Sequence, residues 1–298
     1  MIKMEKKSGF VTVVGRPNVG KSTLLNKLMG YKILIESNKP QATRNSIQCV
    51  FNDERGQVVF LDTPGIHKPH HLLGESLVAS AKRALNDVDL ILFMVEPDSK
   101  IGPGDLYIAE LLKDTDIPVV LVLNKIDQSS QNDIILVLNS WSEHFKFDEY
   151  IPISALTNEN LDRLKDLIFS YLDEGPMYYP DDVITDRPEE FVVTEMIREK
   201  VFNNTHEEIP YSVAVDLRDY DEEDGKMYIA ADIIVERDSQ KGIIIGKQGS
   251  MLKKIGREAR KDIEDLLATK VYLDLHVRHK KNWRNKNNLL KELGYREE

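Results

Sequence analysis

Apolar residues fall along this chain in two rhythms. Short uninterrupted apolar runs lie near residues 10–14, 47–52, 57–62, 88–95, 118–123 and 149–153. Between them, segments near 21–30, 75–86, 104–114, 130–144 and 159–172 repeat their apolar positions every three or four residues. The first rhythm reads as strands, the second as amphipathic helices. Runs with no polar alternation suit strands covered on both faces, so this half of the chain predicts an α/β fold: a mainly parallel sheet with helices on both faces and ligands at the carboxyl ends of its strands. Residues 31–46 show no period and, with 63–74, are expected to form a mobile pair of loops. Residues 174–188 hold three prolines and several acids, which suits a linker. Beyond them comes a helix near 189–203, strands near 211–219 and 227–236, two helical segments around a glycine turn, and a strand near 270–278. The acidic stretch Asp219 to Asp224 reads as a solvated hairpin loop. The expected units are therefore residues 1–173, a linker at 174–188, and residues 189–298.

Composition narrows the class. At 298 residues the chain is long enough for two such units, and 41% hydrophobic with 30% charged residues is a soluble-globular balance. A single cysteine, Cys49, excludes an intramolecular disulfide and reads as a strand residue. No apolar run approaches the ~18–20 residues of a membrane span. Met1 to Lys7 lacks the apolar stretch of a signal peptide. A cytoplasmic location is expected, with electrostatic contact of a basic face with anionic lipid left open.

Chemistry enters at Gly15-Arg16-Pro17-Asn18-Val19-Gly20-Lys21-Ser22, which fits G-x-x-x-x-G-K-[ST] between an apolar strand and a helical pattern. Glycines let successive N–H groups turn inward on phosphate oxygens, and the helix N-terminus adds a favourable dipole. Lys21 is expected on the β/γ-phosphates and the Ser22 hydroxyl on Mg²⁺. Downstream, a strand run ends in Asp62-Thr63-Pro64-Gly65, where Asp62 can hold Mg²⁺ through water and the Gly65 N–H can sense a γ-phosphate. Thr43 is the only threonine between Thr23 and Thr63, so it is the natural residue to complete the Mg²⁺ shell.

The base is addressed by Asn124-Lys125-Ile126-Asp127 at the end of another strand run. An ionised Asp127 accepts from the N1–H and N2 amino groups of guanine, whereas adenine presents an acceptor there. Lys125 would lie along the base, and the Asn124 amide would tie this loop to the phosphate loop. Ser154-Ala155, after Ile153, resembles a last guanine-contacting motif. Five motifs in this order match the translation-factor class of GTPases. Ile66 stands where Ras-like enzymes carry a water-orienting glutamine, so intrinsic hydrolysis is expected to be slow.

A second chemistry lies near the other end. Gly242-Ile243-Ile244-Ile245-Gly246-Lys247-Gln248-Gly249 between two helical segments carries G-x-x-G, the KH loop that clamps a nucleic-acid backbone. Residues 241–291 carry far more lysines and arginines than acids in a chain of net charge −10, an electrostatic footprint for a polyanion. Lys280, Lys281 and Arg284 concentrate that charge. Trp283 could stack a base or could anchor the last helix to the core.

Together the G-R-P-N-V-G-K-S loop, D-T-P-G, N-K-x-D and C-terminal G-K-x-G resemble the Era family of bacterial GTPases across nearly the whole chain. The resemblance implies a Ras-like P-loop GTPase domain followed by an α+β type II KH domain. It also implies turnover of GTP to GDP with Mg²⁺, binding of 16S ribosomal RNA, assistance to 30S subunit assembly, and a monomer with peripheral contact at the inner face of the cell membrane. GTPases with a similar G-R-P-N loop use the asparagine, here Asn18, to hold an activating K⁺. One departure stands out: Gln41-Ala42-Thr43-Arg44 has one threonine where the family usually has two before the arginine. Two other readings stay open: an RNA-binding module in which GTP is structural, and a GTPase of tRNA modification.

Overall fold

The computed structural model describes residues 6–39, 42–62, 87–97 and 101–295. The expected helix near 75–86 and the expected loop 63–74 lie outside the described residues. The chain divides into two units: Met1–Gly30, Thr43–Lys68 and Leu77–Asp186 form one, and Tyr31–Ala42, Pro69–Ser76 and Arg187–Glu298 form the other.

The first unit is built on six strands, β1 (Lys7–Val14), β2 (Ile47–Asp53), β3 (Gly56–Asp62), β4 (Leu90–Val95), β5 (Val119–Leu123) and β6 (Glu149–Pro152), in the spatial order β2-β3-β1-β4-β5-β6. All neighbours are parallel except β2 and β3. Every residue of β4 and β5 is buried, which is why these runs show no polar alternation. Helices α1 (Lys21–Met29), α2 (Pro103–Leu112), α3 (Gln131–His144) and α4 (Leu161–Tyr171) occur among the described residues. Their ends follow local chemistry. Proline opens α2, where its missing N–H costs nothing. A Ser130–Asp133 capping box opens α3. Trp141 of α3 packs edge-on to Phe93 of β4 with ring centroids 5.4 Å apart, part of an aromatic cluster with Phe147. Because β1, β3, β4 and β5 run parallel, their carboxyl ends lie along one edge of the sheet, as the sequence motifs require.

The stretch read as a linker is docked. The Val50 N–H donates to the Ile184 carbonyl at 2.9 Å, and the Asp186 N–H to that of Gln48 at 3.2 Å, so residues 184–186 pair along the free edge of β2. Gln57, fully buried, secures the preceding turn: its amide oxygen accepts from the Tyr178 and Tyr179 N–H groups and its nitrogen donates to the Tyr179 carbonyl and to Asn52. A sheet edge that would otherwise offer unpaired backbone is thereby covered. Cys49 lies buried in β2, as expected, and burial pushes its thiol well above the ordinary range.

The second unit contains α5 (Glu189–Asn204), β7 (Ala214–Glu223), β8 (Lys226–Val235), α6 (Asp238–Ile245), α7 (Ser250–Leu267), β9 (Lys270–His279) and α8 (Asn287–Glu292). Strands β7 and β8 are antiparallel, β8 and β9 parallel. The expected loop at Asp219–Asp224 is instead mostly strand, with Asp221 opposite Tyr228 and Glu223 opposite Lys226. Acids are tolerated there because β7 is an edge strand whose side chains reach water, and charge discourages edge-to-edge pairing. Helix α7 buries Ile255, Ala259 and Ile263 at four-residue spacing. Part of the expected mobile loop 31–46 packs in this unit: Lys32 pairs with Glu199 at 2.8 Å and Asp262 at 2.6 Å, Lys39 donates to the Phe202 carbonyl at 2.7 Å, and buried Arg198 donates to that of Ala42 at 2.6 Å. No helix among the described residues is long and apolar enough to cross a membrane.

Trp283 is wholly buried, donates its indole N–H to the Ser212 carbonyl at 2.8 Å and stacks on Tyr295. The anchoring reading therefore holds, and stacking on a base is excluded because no face of the ring reaches solvent. Trp283→Ala is expected to destabilise the second unit by about 3–5 kcal/mol, measured by chemical denaturation. An unchanged unfolding midpoint for that unit would contradict this packing role.

Candidate functional site

At the end of β1 the chain turns through Gly15–Gly20 into α1. Gly20 sits at φ 103°, and a Cβ there would lie 2.3 Å from the Asn124 amide nitrogen, so only glycine fits. Lys21 is buried, and its ammonium donates to the Gly15 carbonyl at 3.1 Å and the Arg16 carbonyl at 3.0 Å, curled within the loop. Burial pushes its pKa down to about 8, with the Asp62 carboxylate pulling the other way. A bound phosphate would supply negative charge that stabilises the ammonium. Val19 contributes backbone only, because its side chain is fully buried.

Three hard oxygen donors converge beside this loop. The Ser22 hydroxyl lies 3.2 Å from that of Thr43, which lies 3.4 Å from a carboxylate oxygen of Asp62. Two hydroxyls and one carboxylate suit Mg²⁺, which takes few protein ligands when phosphates complete its shell. Thr63, Pro64, Gly65 and Ile66 lie outside the described residues.

The Asn124 amide, almost fully buried, joins the loops. Its nitrogen donates to the Val19 carbonyl at 2.8 Å, and its oxygen accepts from the Ala155 N–H at 2.9 Å. The Lys125 ammonium donates to the Asn18 carbonyl at 2.8 Å. Ser154 donates to one carboxylate oxygen of the exposed Asp127 at 2.6 Å, which orients that carboxylate. Ile126 turns into the core, so only its backbone can serve a ligand. The five described motif segments thus meet at one end of the sheet.

The second unit carries a separate groove. Between α6 and α7 the chain turns at Gly246, φ 72°, where a Cβ would lie 2.7 Å from the Met251 Cβ. Lys247 and Gln248 stand exposed at the tip. Beside this loop, α7 and β9 border an open groove of about 460 Å³. Leu252, Leu273 and Leu275 form its apolar floor, with Gly249 and Gly256, and Lys253, Arg257 and Arg260 its basic rim. Of the residues expected to meet RNA, Gly242 and Ile243 are exposed and Ile245 is partly so, but Ile244 is completely buried in the core and cannot reach a base. The basic tail also needs correction. Lys281 is exposed, yet Lys280 pairs with Glu292 at 2.6 Å and Arg284 with Glu236, so their charges are already answered within the unit. The rim and floor have a signal in the sequence beyond the expected RNA residues: Lys253, Arg257 and Arg260 recur at helical spacing around a mid-helix Gly256 that no turn requires.

Two family profiles match this chain. The profile of the 50S ribosome-binding GTPase family matches residues 10–125, and that of the KH domain matches residues 208–284. GTPase Era of Clostridium botulinum (strain Eklund 17B / Type B) is 55% identical over 97% of this chain and 99% of its own. That of Clostridium kluyveri is 53% identical over the same shares. Among solved structures, Aquifex aeolicus Era bound to GDP·AlF4⁻ has a TM-score of 0.92 and Era in complex with MgGDPNP and nucleotides 1506–1542 of 16S ribosomal RNA one of 0.93. Each is 41% identical and covers 97% of this chain and 99% of that chain. With both motif sets, both profiles and near-complete coverage in accord, the chain belongs to the Era family of GTPases.

Proposed function

We propose that this chain is a GTP-hydrolysing switch that binds 16S ribosomal RNA in its second unit and assists assembly of the 30S subunit. The observation that carries this reading is the basic-rimmed groove beside Gly246–Gly249, taken with a 41%-identical relative solved with MgGDPNP and a 16S ribosomal RNA segment. The working division is a GTPase domain at 1–173, a linker at 174–188 and a KH domain at 189–298. In the GTPase domain, residues 15–22 hold the phosphates, and Asn124, Lys125, Asp127, Ser154 and Ala155 hold the guanine. Ser22, Thr43 and Asp62 would hold Mg²⁺, which when bound neutralises phosphate charge. Lys21 leaves its loop carbonyls for the β/γ-phosphates. As water displaces the leaving GDP from the γ-phosphorus in line, the ammonium of Lys21 and the loop N–H groups stabilise the charge that develops.

Thr43 adjoins Ala42 in the chain, and Tyr31–Ala42 packs with the second unit. This covalent link supports the view that loss of the γ-phosphate alters how the RNA groove is presented. A structural role for bound GTP predicts the opposite: RNA affinity indifferent to GTP or GDP. Cytoplasmic residence, a monomeric state, and peripheral contact of a basic face with anionic lipid at the inner membrane face complete the proposal.

The RNA assignment is tested by Lys247→Asp with Gln248→Asp, which sets two carboxylates where phosphates must approach while the loop glycines remain. Affinity for single-stranded 16S ribosomal RNA should fall by at least about tenfold, with a shallower salt dependence. GTP hydrolysis without RNA should be unchanged. Parental RNA affinity in this variant would refute the groove assignment.

Turnover offers a second test. With Ile66 unable to orient water, hydrolysis without RNA should stay below ~0.1 s⁻¹. It should run faster in K⁺ than in Na⁺, and Asn18→Ala should erase the difference. Equal rates in the two salts for the parent protein would eliminate the cation role of Asn18.

A further inference from the structure

Strand order places β4 between β1 and β5, so the residue that follows β4 stands between the phosphate loop and the base loop. That residue is Glu96. One of its carboxylate oxygens binds the Lys125 ammonium, and the other lies 4.0 Å from the Arg16 guanidinium. Lys125 is held on its other side by the Asn18 carbonyl. Arg16 is held on its other side by Asp105, buried in the first turn of α2, 2.7 Å from Nε. Gly104 makes room for that arginine, since a Cβ there would come within 3.0 Å of the Arg16 Cδ. Neither Glu96 nor Asp105 belongs to any of the nucleotide motifs.

We propose that Glu96 is a positioning residue for guanine nucleotides: its carboxylate joins Lys125 to Arg16 and so fixes the base loop against the phosphate loop. The proposal rests on residues 15–22 and 124–127 being the nucleotide site. Lys125 is a long, flexible amine whose stem must lie along the base. Holding its head at two points removes rotamers before the ligand arrives, so less entropy is lost on binding. Glu96 also separates two cations that would otherwise repel across the same gap. A carboxylate is a poor partner for phosphate, so Glu96 acts through Lys125 and Arg16 rather than on the ligand. Because the bridge serves the base end, it should favour GTP and GDP alike.

The test measures equilibrium affinity for GTP and GDP in the full chain, alongside the unfolding midpoint of the nucleotide-free protein. Glu96→Gln should weaken both nucleotides equally, by about fivefold to tenfold, with the midpoint nearly unmoved. Glu96→Asp, which keeps the charge, should recover most of that loss. In a Lys125→Met background, Glu96→Gln should cost less than about a further twofold, since the partner is already gone. Unchanged affinity, losses that simply add, or a lower midpoint without a change in affinity would each overturn the proposal. Asp127→Asn in the same assay separates the causes. If it loses GDP affinity by about 10²-fold while Glu96→Gln loses none, the bridge alone is wrong. If Asp127→Asn binds GDP as the parent does, the nucleotide-site reading fails and the bridge falls with it.

Discussion

One buried amide holds the proposed nucleotide site together. Asn124 donates to the phosphate loop at Val19 and accepts from the last base loop at Ala155, so two loops far apart in sequence share a single rigid link. Both bonds lie out of water, where an unmade bond costs the full desolvation of each orphaned group. The amide also explains a neighbour. Gly20 must lack a side chain because the Asn124 nitrogen occupies the space a Cβ would need. The phosphate loop, the Ser22–Thr43–Asp62 oxygens and the Asp127 carboxylate then take their places around it, all at the edge where parallel strands end.

The groove proposed for RNA obeys a different constraint. Helix α7 turns its buried stripe, Ile255, Ala259 and Ile263, into the core, which leaves its basic residues on the other side at the groove. Gly256 keeps the groove open, since a side chain there would project onto Leu275, 3.5 Å from a Cβ, and fill the floor. Apolar floor and cationic rim together suit a strand whose bases face inward and whose phosphates face the rim.

Much of this was legible from residues alone. Motifs such as Gly15–Ser22 and Asn124–Asp127 announce themselves because their chemistry is local: the glycines, the lysine and the carboxylate sit within a few positions of each other. Strands β4 and β5 were equally plain, since full burial leaves no polar interruption. What escaped was set by partners distant in sequence. Nothing near Gln57 reveals that its amide will clasp Tyr178 and Tyr179, or that the linker will pair along β2. Trp283 permitted two readings until Ser212 and Tyr295 enclosed it. Ile244 looked like its neighbours, but helical geometry turns it inward while Ile243 faces solvent. The acids of β7 suggested a loop because edge strands relax the polar–apolar rule.

The central claim is that one guanine-nucleotide site is assembled through Asn124, and the affinity of Asn124→Ala for GDP tests it most directly. Truncation orphans the Val19 carbonyl and the Ala155 N–H together. Affinity should therefore fall by about 10²-fold in a protein that remains folded. Affinity within about twofold of the parent would show that the loops are held by something else, and would contradict the account.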